Sequence, residues 1–159
     1  MTTRAISPVI ATVIIVSVAI AIAVAVAFWM TGITGLFTRY EKLEIISAYA
    51  ESVDTPTNYF RITLRIRNTG STDVTIDNIF INGVPVGTTT SDTTFASNES
   101  DGSTAIDFSD SANWISVSAG ESYTLYVFLS ENEYTSGQIV EVKLHTAAGN
   151  EYPKSVQLP

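Results

Sequence analysis

Hydrophobic and polar positions divide the chain into two contrasting parts. Between Ala5 and Thr38 no residue is charged. In the most apolar stretch, Ile6 to Met30, the polar side chains are Ser7, Thr12 and Ser17. A helix with this composition has no face that favours water, and the run exceeds the roughly 20 helical residues that cross a bilayer core. The pattern therefore predicts a segment that can span a membrane.

Residues 18–27 alternate between Ala and Val or Ile, a period of two that is typical of a β-strand. A lone strand in lipid would leave its backbone N–H and C=O groups unpaired, whereas a helix pairs them internally. We therefore predict a helix over residues 6–40. Ser7 suits its N-cap and Pro8 its first position, while Gly32 and Gly35 weaken its far end, which we place at residues 37–40.

In a helix, the alanines of this segment form two rows with a spacing of four residues. The rows are Ala19, Ala23 and Ala27, and Ala21 and Ala25. Small residues at this spacing let helix backbones approach closely. The spacing favours packing between copies of the helix, but Ala is also simply common in membrane helices.

From Leu43 onward, short alternating runs separated by turn residues predict β-structure. In the clearest strand, residues 60–67, four apolar residues alternate with Arg61, Thr63, Arg65 and Arg67. The other predicted strands are residues 43–51, 74–81, 114–117, 123–129, 139–146 and 152–158, with turns at 68–71 and 82–83. The predicted fold class is α+β, a long N-terminal hydrophobic α-helix followed by an antiparallel immunoglobulin-like β-sandwich over residues 41–159. Residues 87–113, rich in Ser, Thr and Asp, are predicted as a long exposed loop or an irregular edge.

Charge and cysteine content exclude several classes of protein. The 159 residues include 8 Lys or Arg against 16 Asp or Glu, and no Cys. The acidic balance argues against nucleic-acid binding, and the lack of Cys excludes a disulfide scaffold and a thiolate zinc site. Residues 1–40 carry two basic residues and no acid. The short N-terminal stub and the acidic body indicate that the body is exported, since long domains translocate largely regardless of charge.

No motif predicts catalysis, a cofactor or a metal site. His145, the one His in the sequence, is predicted to face solvent on a strand. Five acidic residues of the long loop could offer oxygen ligands to Ca²⁺: Asp92, Glu99, Asp101, Asp107 and Asp110. Their spacing fits no known calcium loop, so a solvated acidic loop is the prediction. We expect a protein that is not an enzyme and has no cofactor.

Two surface features are candidates for interaction. Arg61, Arg65 and Arg67 form a basic row that could pair with acidic patches of a neighbouring subunit, or form an ordinary solvated face. Asn98 begins the sequence Asn98-Glu99-Ser100, a glycosylation sequon placed where an exported protein would expose it.

The N-terminal sequence resembles that of archaeal type IV pilins. The resemblance lies in Arg4 at the head of the apolar run and in the core Ser7-Pro8-Val9-Ile10-Ala11 that follows. It implies that residues 1–5 are a leader peptide, which a prepilin peptidase removes between Ala5 and Ile6. It also implies that the membrane-inserted precursor is assembled by an ATPase and a platform protein into a helical homopolymer, with the N-terminal helices in its core.

The resemblance leads to one main functional prediction: the major structural subunit of an extracellular archaeal type IV pilus that serves adhesion or surface attachment. Two alternatives share the same features. One is a single-pass anchor that holds a β-sandwich binding domain at the cell surface. The other is a subunit of an archaeal flagellar filament. The anchor differs from both filament subunits because its helix stays in the membrane, whereas theirs enters the core of a fibre.

Overall fold

The structure is a computed structural model that describes residues 7–37, 39–54 and 56–159. The chain divides into two compact units, Met1–Arg39 and Tyr40–Pro159. Within the described residues, the first unit contains one helix and the second contains two antiparallel β-sheets. The predicted fold class, a long hydrophobic helix followed by an antiparallel β-sandwich, is confirmed.

Helix α1 (Pro8–Phe37) begins at the residue predicted for its first position and ends at the start of the range predicted for its end, within the predicted segment of residues 6–40. At its start, the Ser7 carbonyl oxygen accepts hydrogen bonds from the amides of Ile10 and Ala11, at 3.0 and 3.2 Å. Pro8 is well suited to the first position because the N–H group it lacks would have no partner in the helix. The alternation of residues 18–27 therefore does not produce a strand, since a helix satisfies the backbone of an isolated apolar segment.

The described part of the second unit has nine strands in two sheets. They are β1 (Leu43–Val53), β2 (Tyr59–Asn68), β3 (Val74–Ile81), β4 (Val84–Pro85), β5 (Thr94–Ser97), β6 (Ile115–Val117), β7 (Ser122–Ser130), β8 (Ile139–Thr146) and β9 (Glu151–Gln157). The first sheet has the order β1-β2-β7-β5, and the second has the order β4-β3-β8-β9, with β6 also paired to β3. All of these strand pairs are antiparallel. The seven strands predicted from sequence are present, and β4 and β5 are additional.

The core lies between the inner faces of the two sheets. The apolar side chains of β2 that alternate with its arginines are buried, as predicted: Phe60, Ile62, Leu64 and Ile66. They belong to one cluster with residues of the second sheet such as Ile79 and Leu144. Burying each such side chain contributes about 1.5–3 kcal/mol relative to exposure, so the alternation fixes which face of the strand turns inward.

Both predicted turns are confirmed. Asn82 and Gly83 have φ angles of 50° and 84° and join β3 to β4, as in the hairpin turns that need two positive φ values. At the other turn, the side chain of Asn68 is fully buried. Its Nδ2 donates to the carbonyl oxygens of Thr72 and Val117 at 2.8 and 2.9 Å, and its Oδ1 accepts from the Gly70 amide at 2.9 Å. Asn68 therefore ties this turn to β6.

The segment of residues 87–113 departs from the exposed-loop prediction. It contributes β5 to the edge of the first sheet, and all four residues of this strand are buried. Phe108 is also buried, at 7% exposure. The prediction of an exposed loop is wrong at these positions, and the alternative of an irregular edge describes them. A strand of four residues is too short for periodicity to reveal it.

Candidate membrane and assembly helix

Helix α1 has an apolar and exposed surface. Apart from the half-buried Ile33, the large hydrophobic side chains on it that are described are between 48% and 76% exposed, the extremes being Val24 and Phe28. The segment Pro8–Gly35 has a mean hydropathy of 3.1 in an 18-residue window, and no residue in this window is buried. At 1.5 Å per residue, the 30-residue helix is about 45 Å long, against about 30 Å for a bilayer core. By length and composition, this helix can cross a membrane.

The few hydroxyl groups on the helix do not need water. Each donates a hydrogen bond to a backbone carbonyl oxygen three or four residues earlier, at 2.7–2.9 Å. These groups belong to Thr12, Ser17, Thr31 and Thr34. Because unpaired polar groups are what apolar surroundings penalise, these bonds allow the whole side surface of the helix to be covered by lipid or by other helices.

The two alanine rows predicted from sequence lie on different faces of the observed helix. Successive residues are about 100° apart, so rows two positions apart lie about 200° apart, on nearly opposite faces. One row is Ala19, Ala23 and Ala27, and the other is Ala21 and Ala25. Between them lie two β-branched rows, Val18, Ile22 and Val26, and Ile20 and Val24. The helix therefore has two shallow grooves along the alanine rows and two ridges along the β-branched rows. The grooves can receive the ridges of identical helices on both sides, and the ridges can fill the grooves of those helices.

Trp29 marks one end of the apolar span. It is 68% exposed, and it lies 21 residues beyond Pro8, which corresponds to about 32 Å along a helix. This length is close to the thickness of a bilayer core, and Trp is enriched at the membrane interface. In a bilayer, Pro8 and Trp29 would therefore lie near opposite surfaces, and the final turns of the helix would extend beyond the hydrocarbon.

The predicted leader cleavage site lies outside the described residues. The structure describes the chain from Ser7 onward, so cleavage between Ala5 and Ile6 stays a prediction.

The predicted basic row of β2 separates into two kinds of residue. The Arg61 guanidinium pairs with the Glu51 carboxylate at 2.7 Å and lies over the Tyr126 ring, 5.6 Å from its centroid. It also donates a hydrogen bond to the carbonyl oxygen of Ser100. Arg65 and Arg67 are exposed, and neither has an ion-pair partner among the described residues. Arg61 is thus engaged within the chain, and the other two arginines remain accessible.

Asn98 is exposed and directly follows β5. Its side chain is therefore accessible to a modifying enzyme, and glycosylation there stays a prediction.

The acidic residues of the long segment serve local turns. Asp92 accepts from the amide and the hydroxyl of Thr89 at 2.8 and 3.0 Å. The Ser109 hydroxyl and amide donate to Asp107 and lower its pKa below the usual value, and the amide and hydroxyl of Ser103 do the same for the pKa of Asp101. Nowhere in the described chain do three His, Cys, Asp or Glu residues converge as metal ligands.

His145 lies on the outer face of the second sheet but is not a simply solvated residue, which corrects that expectation. Its Nδ1 is 2.5 Å from Asp77 Oδ1, and both side chains are largely covered. The Phe80 ring meets the imidazole edge-on, at 6.2 Å between centroids. These contacts hold β8 against β3, and within the described residues no third ligand-type side chain joins the pair to form a metal site.

One cleft of about 430 Å³ was not predicted from the sequence. Trp114 and Tyr123 line it together with Asn98 and Asn113. Burial raises the pKa of the Tyr123 hydroxyl. These residues belong to different segments, so no motif joins them; the nearest signal in the sequence is two large aromatic residues next to turn-forming Asn and Ser.

No family model matches the chain, and no curated protein matches it. Similar solved structures include the archaellum periplasmic stator protein FlaG from Sulfolobus acidocaldarius, at 17% identity and a TM-score of 0.46, over 73% of this chain and 99% of that one. The apo PCuAC domain from PmoF1 has 12% identity and a TM-score of 0.47, over 76% and 98%. The Iho670 flagellar-like filament has 16% identity and a TM-score of 0.38, over 96% and 98%. Likenesses with TM-scores below 0.5 assign no function to this chain, so helix α1 remains the feature that a function must explain.

Proposed function

We propose that the chain is a non-catalytic structural subunit of an extracellular archaeal type IV pilus, which polymerises through helix α1. In this proposal the precursor is inserted in the membrane, a prepilin peptidase removes residues 1–5, and an ATPase and a platform protein drive assembly. The pilus serves adhesion or surface attachment. The observation that carries the proposal is the exposed, uncharged surface of helix α1 over 28 residues, Pro8–Gly35.

The energetics of this surface support a helix that is never exposed to water. Full burial of each exposed Val, Ile or Phe side chain is favourable by about 1.5–3 kcal/mol relative to exposure to water. The surface includes more than ten such side chains, so moving the helix from lipid into water would cost tens of kcal/mol. Direct exchange of lipid for neighbouring helices avoids this cost. Close packing then adds contacts that lipid does not provide.

The two alanine rows favour a polymer over an isolated anchor. A monomeric anchor needs no groove, and a dimer needs one. Grooves on nearly opposite faces, such as those along Ala19–Ala23–Ala27 and Ala21–Ala25, let each helix contact neighbours on both sides, as a homopolymer requires. The lack of charge on the helix also supports a dry, non-covalent core in the fibre. Such a core would explain how a durable fibre can form from a chain that has no Cys.

The first experiment is electron microscopy of material sheared from the surface of cells that make the protein, combined with sequencing of the mature N-terminus. We expect long fibres whose subunits begin at Ile6. A membrane-retained monomer that begins at Met1 would contradict the proposal and favour the single-pass anchor. Deletion of the gene separates the two filament types, because loss of surface attachment with intact swimming indicates a pilus, and loss of swimming indicates a flagellar filament.

A further inference from the structure

The cleft beside Asn98 exists because β5 is shorter than its neighbour β7. β5 ends at Ser97, which lies opposite Tyr126, so residues 122–125 of β7 have no strand beside them on this side within the described chain. The chain returns there, where the Ile106 amide donates to the Ala96 carbonyl oxygen at 2.8 Å. The space that this leaves, with a volume of about 430 Å³, is lined by residues of β6, β7 and the returning segment.

Two half-buried aromatic side chains form the apolar part of the cleft. Trp114 and Tyr123 both line it and pack against the core. The Trp114 Nε1 donates to the Phe108 carbonyl oxygen at 3.0 Å, which fixes the indole in one orientation. The cleft therefore offers rigid aromatic surface, the kind of surface that binds apolar ring faces with little loss of side-chain entropy.

The polar side chains of the cleft keep unused hydrogen-bonding capacity. Asn113 donates from Nδ2 to the Asp107 carbonyl oxygen at 3.2 Å, which leaves its Oδ1 without a partner among the described residues. The same is true of the Asn98 amide and the Tyr123 hydroxyl, and of two further hydroxyls, those of Thr104 and Ser116. A ligand that fits this cleft must therefore supply several donors and acceptors.

We infer that this cleft binds a neutral saccharide of one or two rings, seated on Trp114 and Tyr123 and hydrogen-bonded through Asn113. No Lys, Arg or His lines the cleft, so nothing there would attract an anionic ligand. Its one charged lining residue is Asp107, whose Oδ1 already accepts hydrogen bonds from the Ser109 amide and hydroxyl. A purely apolar ligand would bury the amides and hydroxyls without hydrogen-bond partners, which costs free energy of desolvation. A sugar has both a C–H face for aromatic rings and a rim of hydroxyl groups, and the volume is in the range of small-ligand sites.

Two sources can supply this sugar. Asn98 lies on the rim of the cleft, so a glycan attached to its sequon could fold back into the cleft of the same chain. A saccharide on another surface could enter it instead. The inference does not depend on the proposed filament, because it concerns the β-sandwich alone.

The test uses the full chain with Trp29→Phe, so that Trp114 is its one tryptophan, produced without glycosylation in a zwitterionic detergent that contains no sugar. Glucose, galactose, mannose, N-acetylglucosamine and their disaccharides are titrated while Trp114 fluorescence is recorded. We expect a saturable change with at least one of them. Asn113→Ala and Tyr123→Phe should each weaken binding about fivefold to tenfold, the loss typical of one hydrogen bond.

Asn150→Ala is the matched control, because it removes an exposed amide from the β8–β9 turn, and it should leave binding unchanged. The inference is overturned if no sugar gives a saturable change, or if both cleft variants bind as tightly as the parent.

A second arm compares chains from a glycosylating host, with and without Ser100→Ala, which removes the sequon and keeps Asn98. If the attached glycan fills the cleft, only the Ser100→Ala chain binds added sugar; if the sugar comes from another surface, both chains bind it equally.

Discussion

Phe95 and Phe128 stack with their ring centroids 4.9 Å apart on the outer face of the first sheet, and neither side chain is exposed. They are opposite each other in the pairing of β5 with β7, and Phe128 is also opposite Arg61, which points away from the core. A Cβ added to Gly102 would lie 2.9 Å from the Phe128 ring and 3.1 Å from Pro56. The segment after β5 therefore covers the outer face and forms a second apolar cluster there.

Because the segment after β5 packs closely on Phe128, we expect substitution of Gly102 to destabilise the fold more than substitution of other glycines with positive φ. Gly102→Ala would place a side chain at φ 65° and against Phe128. Gly149→Ala is the matched control, since Gly149 has φ 83° and open space around it. We expect Gly149→Ala to lower the free energy of unfolding by about 1–2 kcal/mol, and Gly102→Ala to cost about 1–3 kcal/mol more. Urea unfolding followed by Trp114 fluorescence in the Trp29→Phe chain measures both, and equal losses would contradict the close approach.

Arg61 is expected to hold the covering segment against the sheet. Arg61→Met keeps the aliphatic stem but removes the contacts with Glu51 and the Ser100 carbonyl oxygen. Because these contacts are partly exposed, we expect a loss of about 1 kcal/mol in stability and faster amide hydrogen exchange in residues 98–102. Arg65→Met should change neither. If Arg61→Met instead abolishes filaments while this exchange is unchanged, Arg61 acts between subunits.

Thr63 carries a buried hydroxyl with no hydrogen-bond partner in the described structure. Thr63→Val removes this unpaired group from a strand position where a β-branched residue is favoured, so we expect stability to rise by about 1 kcal/mol. Thr146→Val is the contrasting variant. The Thr146 hydroxyl accepts from the Asn150 amide at 3.3 Å and donates to its carbonyl oxygen at 3.4 Å, so its loss should destabilise the fold. Thermal unfolding of the two variants should therefore shift in opposite directions.

Asp107 should make stability depend on pH in the acid range. Hydrogen bonds from the Ser109 hydroxyl and amide lower the pKa of Asp107 below its ordinary value of 3.8. A lowered pKa in the folded state stabilises the fold above the unfolded-state value, and this contribution is lost as pH falls through the folded-state value. We expect Asp107→Asn to flatten the decline in stability below pH 3.8. Urea midpoints measured from pH 7 to pH 2 test this, and a decline as steep as that of the parent would contradict it.

The close-packed helix core predicts a steric requirement at the alanine rows. Ala23→Phe and Ala23→Asp should each abolish filaments while the β-sandwich remains folded, because one fills the groove and the other buries a charge. Ile22→Phe is the control, since position 22 already carries a large side chain. Electron microscopy reports assembly, and near-UV circular dichroism reports the fold. Intact filaments from both Ala23 variants would refute the packed core.

The helix and the main strands could be predicted because their signals are local. Absence of charge over 34 positions indicates surroundings without water whatever the rest of the chain does, and Pro8 and Ser7 mark where the helix starts. In β2, the alternation of Phe60 to Ile66 with arginines assigns the buried face directly, because successive side chains of a strand point to opposite sides.

Tertiary structure alone decided β5, the cover over Phe128, the role of Arg61 and the cleft at Trp114 and Tyr123. In sequence, Arg61 resembles the other two arginines of β2. It alone is engaged within the described chain, because Ser100 and Glu51 of other segments contact it. Sequence thus determined which segments are helix, strand and apolar surface, since these follow from periods of a few residues. Strand pairing and the path of the segment after β5 decided which side chains are in contact. These contacts join residues that are distant in sequence, so they contribute free energy only after the chain has brought those residues together.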